Sequence, residues 1–305
     1  MVSIYTGANN FLLRQSVDKV VLEFVQKFGS HTVEKFDAAE VESNQLGELL
    51  QSTSLFADER LVVIDNVSTN KALWEALETW IDRVPSQTTL LLIEPTPDKR
   101  TKTYKLLVQY GAVREFGELS DADLNKWMRD AVAAQGGVLD VEVAGYLLKT
   151  VGTDQWRLWQ ELQKLLSYNP IISKQAIDEL VELTPQATAF ELLDAVMNHK
   201  LEQINRLLES VAANEDPYKF MGLLISQIHA LAVVKAAAGK TVDEMAKDSG
   251  LHPFVLRKTQ LIARSMALQK LYDSIKIVAR CDEQLKSTGA EPWFLIGQCL
   301  QRLAQ

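Results

Sequence analysis

The sequence predicts an α/β fold followed by an all-α region: a parallel sheet in the N-terminal part, then helices to the end of the chain. Three observations lead there. Over residues 1–118, five short strand-like runs alternate with segments of helical period. Two of these runs, Arg60-Leu-Val-Val-Ile-Asp65 and Thr88-Thr-Leu-Leu-Leu-Ile93, are nearly continuous in apolar or β-branched residues, as strands covered on both faces are. Beyond residue 118 the apolar spacing is helical throughout.

The elements follow in order. Ile4-Tyr5-Thr6 is a short strand ending at Gly7, and Phe11 to Phe28 is a helix with apolar residues at 12, 13, 17, 20, 21 and 24, stopped by Gly29. Thr32 to Phe36 alternates as a strand, and Leu46 to Ser52 is helical. After the strand 60–65, Leu73, Trp74, Leu77 and Trp80 form one stripe on a helix from Ala72 to Ile81. The strand 88–93, a helix from Tyr104 to Tyr110 and the run Ala112 to Phe116 complete a parallel sheet with helices on both faces. Residues 119–184 are expected to be wholly helical, opened by the capping-box spacing Ser120-Asp-Ala-Asp123 and closed near Leu183, with Ser173 capping a short last helix and Pro185 marking a linker. Thr188-Ala-Phe-Glu191 repeats the capping-box spacing, Gly250 and Pro253 punctuate a helix pair, and an amphipathic helix runs from Pro292 to Leu303. The expected domains are 1–118, 119–185 and 186–305.

Composition narrows the function. With 305 residues, 47% of them hydrophobic, the chain builds a real core and is not disordered. Two cysteines, Cys281 and Cys299, exclude a disulfide scaffold and suit a reducing cytosol. Four histidines, none paired at ligand spacing, leave no material for a Cys/His metal site, so neither metal nor cofactor is expected. No secretory signal is read at the start, and the greasiest segment, Leu223 to Val234, is broken by Ser226, Gln227 and His229 and reads as too short to span a bilayer. A cytoplasmic protein with no membrane contact is expected. The net charge of −8 argues against bulk, charge-driven binding of nucleic acid, though not against a local basic patch.

A strand ending in glycine before a helix invites a nucleotide reading, and the residues refuse it. Counting from Gly7, the second glycine of a phosphate loop falls on Leu12, its lysine on Leu13 and its hydroxyl on Arg14. The strand 60–65 ends in Asp65-Asn66, where an ATPase of this architecture has a glutamate to polarise water; Asn66 cannot act as a base. Asp65 alone reads as a solvated strand-end acid rather than a magnesium ligand. The strand ending at Ile93 leads into Glu94 and Pro95, without a Thr or Asn to sense a γ-phosphate. No nucleophile elbow is present, and the acidic pair Asp58-Glu59 reads as an exposed loop, so no catalytic residue is assigned.

The most informative stretch is Gln51-Ser-Thr-Ser54-Leu55-Phe56, between a helix and the strand 60–65. An apolar pair in such polar company either folds back beneath the sheet or stands out as an anchor for a partner's apolar pocket, where each side chain would contribute roughly 1.5–3 kcal/mol.

Gln51-x-x-Ser-Leu-Phe followed by Arg60-Leu-Val-Val resembles the clamp-binding element of the DNA polymerase III delta subunit, a bacterial clamp-loader protein. Further motifs resemble that family in order: Ile4-Tyr-x-Gly7 with Phe11-Leu12; Asp98-Lys-Arg-Thr-Lys102 with Tyr104-Lys105; Leu119-Ser-Asp with Trp127; Gly152-x-Asp154 through Glu161-Leu-x-Lys164-Leu; Phe190-Glu-Leu-Leu-Asp194; and Gly250-Leu-His-Pro-Phe254-Val255. The resemblance implies an AAA+-like α/β domain, a helical lid and a helical collar, with no ATP hydrolysis by this chain. It implies that Gln51, Ser54, Leu55 and Phe56 engage the sliding clamp (the beta subunit) and help open its ring. The other implied partners are the gamma/tau ATPase subunits, delta-prime and, through the complex, primer-template DNA.

Two basic features carry alternative readings. Lys99, Arg100, Lys102 and Lys105 are either a solvated loop and helix start or a contact to DNA phosphates or a neighbouring subunit. Residues 241–262 imitate a helix-turn-helix, with Arg257, Lys258 and Arg264 facing DNA, against a reading as collar packing through Phe254, Val255 and Leu256. The rival functions are thus a helix-turn-helix regulator and a divergent AAA+ ATPase.

Overall fold

The computed structural model describes residues 1–51, 59–237 and 239–305. These fall into two compact units, Met1–Ser120 and Asp121–Gln305.

In the first unit, β1 (Val2–Thr6), α1 (Asn10–Phe28), β2 (Val33–Asp37), α2 (Leu46–Gln51), β3 (Arg60–Asp65), α3 (Lys71–Trp80), β4 (Thr88–Glu94), α4 (Lys102–Tyr110) and β5 (Ala112–Glu115) alternate as the hydrophobic pattern predicts. The five strands form one parallel sheet in the order β2-β3-β4-β1-β5. Strand alternation divides the core in two. Val62, Ile64, Leu90 and Leu92 pack with Leu50, Leu73, Leu77 and Leu107 from α2, α3 and α4. Leu61, Val63, Leu91 and Ile93 pack with Leu13 and Val17 of α1. That double coverage is why β3 and β4 read as unbroken apolar runs. Gly47 brings α2 close to α3: a Cβ there would stand 2.4 Å from the Trp80 ring.

The second unit contains α5 (Asp121–Ala133), β6 (Val138–Leu139), α6 (Val141–Val151), α7 (Gln155–Tyr168), β7 (Ile171–Ile172), α8 (Lys174–Leu180), α9 (Pro185–Met197), α10 (Leu201–Asn214), α11 (Pro217–Ala236), α12 (Val242–Ser249), α13 (Pro253–Ser265), α14 (Leu268–Ser287) and α15 (Pro292–Leu303). It departs from the sequence expectation in four ways. It is not wholly helical, because β6 and β7 pair in parallel; two-residue strands carry too little pattern to be seen in sequence. Thr188 does not cap a helix: it lies inside α9, its hydroxyl donating to the Thr184 carbonyl at 3.0 Å, and Thr184 is the cap, accepting from the Ala187 N–H at 3.0 Å. Pro185 opens α9 at its first position, where the absent N–H has no helical partner to lose. Finally, the greasy segment belongs to a 20-residue helix, α11, long and apolar enough to cross a bilayer by length and composition. Phe220, Met221, Leu224, Ile228 and Leu231 of that helix are buried in the unit's own core.

Candidate functional site

Two fixed points stand at the end of α2 and the start of β3. On one side Leu50 is buried and Gln51 is exposed at the helix end. On the other side Arg60 opens β3, and its residue is only 6% exposed. The Arg60 guanidinium donates to both Glu34 carboxylate oxygens, at 2.8 and 2.7 Å, and to the Leu49 carbonyl at 2.7 Å. One side chain thus joins β2, the end of α2 and the start of β3, with the planar donor fork that suits a carboxylate. Of the predicted clamp-binding residues, Gln51 is described; Ser54, Leu55 and Phe56 lie outside the described residues. Sequence reasoning missed Arg60, whose only signal is a cation at the head of an otherwise apolar strand.

In the loop after β1, the backbone donors on either side of Ala8 are occupied by the protein itself. The Gly7 N–H donates to the Pro95 carbonyl at 3.0 Å and the Asn9 N–H to the Phe116 carbonyl at 3.0 Å. At the start of α1 the Leu12 N–H donates to the Asn9 side chain at 2.9 Å. Gly7 is demanded by crowding: with φ at +120°, a Cβ would stand 2.1 Å from the Phe116 carbonyl oxygen. The sequence analogue of a phosphate-loop glycine is here a strand-packing glycine.

Arg14, at the position of the phosphate-loop hydroxyl, donates to both oxygens of Asp65, at 2.8 and 3.2 Å. Asp65 is therefore not merely solvated, as its sequence context predicted; a guanidinium 51 positions away holds it. Asn66 follows in the left-handed region, with φ at 56°, which Asn tolerates better than most residues. The end of β4 holds a second residue the sequence did not reveal. Glu94 is only 1% exposed and accepts from the Ser68 N–H at 3.1 Å and the Ser68 hydroxyl at 2.6 Å. Burial pushes its carboxyl above the usual range, while the bonds from Ser68 and Val67 act against that rise. Where a nucleotide enzyme of this architecture places a γ-phosphate sensor, this chain has an acid that ties β4 to the short turn 67–69.

The cations of 98–105 are mostly paired. Lys99 meets Glu115 at 2.8 Å, Arg100 meets Asp98 at 2.9 Å and Lys102 meets Glu78 at 2.6 Å. The Arg100 guanidinium holds the Asp98 carboxyl down at about 2. Lys105 is exposed on α4 and has no carboxylate partner among the described residues. In the second unit, Gly250 does turn between α12 and α13, with φ at 70°. Yet Arg257 pairs with Asp121 at 3.2 Å, and the Lys258 ammonium lies 4.4 Å from the Phe190 ring centre. Of the three side chains that a helix-turn-helix would present to DNA, Arg257 is held by an acid of the same unit and Lys258 lies against an aromatic ring.

Two models of one protein family match the chain in order: the DNA polymerase III delta subunit over residues 4–116 and the C-terminal domain of that subunit over residues 186–302. The chain belongs to the DNA polymerase III delta subunit family. Among solved structures, a Bacillus subtilis DNA clamp loader delta protein superposes with a TM-score of 0.77 at 22% identity, covering 99% of this chain and 95% of that one. Domain III of the Thermotoga maritima replication initiation protein DnaA is matched at a TM-score of 0.38 and 17% identity, covering 59% of this chain and 82% of that one. A Thermotoga maritima RuvB mutant is matched at 0.42 and 12% identity, over 84% of this chain and 76% of that one. No curated protein matches. Family membership gives this chain a clamp-loader role. Within that delta fold, Arg60, Arg14 and Glu94 are each held by partners distant in sequence.

Proposed function

We propose that this chain binds the sliding clamp through Gln51, Ser54, Leu55 and Phe56 and opens the clamp ring for loading on primed DNA, without hydrolysing ATP itself. The observation that carries the reading is the anchoring of Arg60 at the start of β3. A lever needs a stiff base, and the buried Arg60 fork to Glu34 and Leu49 supplies one on the sheet side. Leu55 and Phe56 entering an apolar pocket would contribute roughly 1.5–3 kcal/mol each, and Gln51 stands exposed at the end of α2.

Support for an ATP-independent action comes from the loop after β1. Its amides at Gly7 and Asn9 already have carbonyl partners, and Arg14 holds the acid that would otherwise meet a metal. The reading assigns residues 1–118 as the AAA+-like domain, 119–185 as a lid and 186–305 as the collar that joins the gamma/tau subunits and delta-prime in the cytoplasm. In it the basic stretch from Lys99 to Lys105 meets primer-template DNA or a neighbour, with Lys105 the cation least committed to an acid.

Capture of purified clamp by the full chain tests the reading. The double variant Leu55→Ala, Phe56→Ala should lose clamp binding by more than about 100-fold, from the transfer energies above. Wild-type affinity in the double variant would show that the pair is not the anchor. Saturable ATP binding by the wild-type chain would restore the hydrolase reading.

A further inference from the structure

A hollow of about 250 Å³ in the second unit is lined by Lys149, His252 and Lys258 together with Phe190, Phe254, Val255 and small residues, and, among the described residues, by no carboxylate. That is a local inversion in a chain with 40 acidic residues against 32 Lys and Arg. Lys258 is half-buried and makes no hydrogen bond or ion pair with any described residue; its ammonium lies 4.4 Å from the centre of the Phe190 ring and 5.8 Å from that of Phe254. Aromatic faces attract a cation, but they replace only part of the hydration that burial removes. Lys149, exposed at the rim, likewise has no acid partner among the described residues. Burial holds the Lys258 ammonium below the usual lysine range; the charge of Lys149 acts in the same direction and Glu191 against it. Glu191 itself lines a separate, acidic hollow with Asp178 and Glu182.

A larger hollow of about 660 Å³ adjoins the first, shares Lys149, Phe254 and Lys258 with it, and adds Arg129 and Asn125, together with Arg257 and the Asp121 carboxylate that pairs with it. Two like charges left facing one cavity, with aromatic walls and the Arg129 cation beyond, form a site for a multiply charged anion with a flat neighbour group.

We propose that the hollow around Lys149 and Lys258 binds a phosphate group, carried either by a free phosphorylated small molecule or by the backbone of single-stranded nucleic acid that continues into the larger hollow along Phe254. Nothing in the clamp-binding reading requires this site, and either can fail alone.

Calorimetric titration of the full chain with inorganic pyrophosphate tests it. Saturable binding is expected, weakened about tenfold or more by Lys258→Gln or Lys149→Gln, as loss of one charge-assisted contact implies. Lys149 is a rim residue, so that variant keeps the test alive should Lys258→Gln unfold the chain. A carbon chemical shift of the Lys258 methylene next to nitrogen should move on pyrophosphate addition in the wild type, a response that mere packing does not produce. An oligothymidylate of roughly 10 nucleotides that displaces pyrophosphate identifies nucleic acid as the source; failure to displace it identifies a small phosphorylated ligand. The proposal is overturned if wild type does not bind pyrophosphate, if both lysine variants bind it as wild type does, or if polyglutamate binds equally well with the same lysine dependence.

Discussion

In the first unit, Lys99, Arg100 and Lys102 each hold a carboxylate at 2.6–2.9 Å. In the second, Lys149 and Lys258 face one hollow with no carboxylate among the described residues of its lining. A count of basic residues along the chain favours the first region, which carries four cations in seven positions, from Lys99 to Lys105. Pairing in three dimensions reverses the order. Surface cations already matched to acids have little net field left for a distant phosphate, whereas two unmatched cations beside low-dielectric walls keep theirs. Available charge is a property of the neighbourhood, and neighbourhoods are assembled from residues far apart in sequence.

The comparison sharpens or breaks on four tests, from the largest effect to the smallest. Arg60→Met removes the most firmly held cation of the first unit. It should lower stability by about 2–3 kcal/mol, less than the loss of a fully buried pair because the Glu34 side chain is 42% exposed. Denaturant midpoints measure this, and clamp affinity should fall with it; an unchanged midpoint would remove the anchored base from the clamp-binding argument.

Glu94→Gln probes the acid that β4 buries. The folded carboxyl titrates above its ordinary value of 4.5. Its stabilising contribution is therefore fully present below pH 4.5 and is lost as pH rises through the raised folded value. Wild-type stability relative to Glu94→Gln should decline across that window and level off above it. A difference that stays flat with pH would mean that burial does not govern this carboxyl.

Arg14→Ala frees Asp65. Both side chains are partly exposed, at 42% and 26%, so the stability cost should stay near or below about 1 kcal/mol. ATP affinity should not appear, because the Gly7 and Asn9 amides keep their carbonyl partners. Measurable nucleotide binding in this variant alone would show that the ion pair, not the loop, is the block.

The smallest effect separates members of the basic cluster. Lys105→Gln should weaken DNA binding by the assembled loader more than Arg100→Gln, since the Arg100 charge is already matched by Asp98. Equal losses would mean that pairing does not decide which cations are available.

Much of the fold was legible because it rests on local periodicity. The strand 60–65 was read to the residue, and the helix 292–303 likewise, since uninterrupted apolar runs and a Pro start leave little choice of boundary. The site was less legible. Gln51, Ser54, Leu55 and Phe56 stood out by their polar surroundings, and family resemblance rather than pattern chose between plug and anchor. The capping box expected at Thr188 failed because Thr184 offers the same hydroxyl to an earlier turn, next to a proline already shaped for the first helical position. Two-residue strands such as β6 are too short for a period to declare itself.

By itself the sequence determined the run of strands and helices, the missing phosphate-loop residues at positions 12–14 and the family motifs. These depend on residue type at short range, where backbone propensity and side-chain spacing act. Only the tertiary structure decided the strand order, the Arg60 fork to Glu34, the Arg14–Asp65 pair, the burial of Glu94 and the unmatched charge of Lys258. Each depends on groups tens of positions apart brought within a few ångströms, and at that range folding, not spacing along the chain, sets which charges meet.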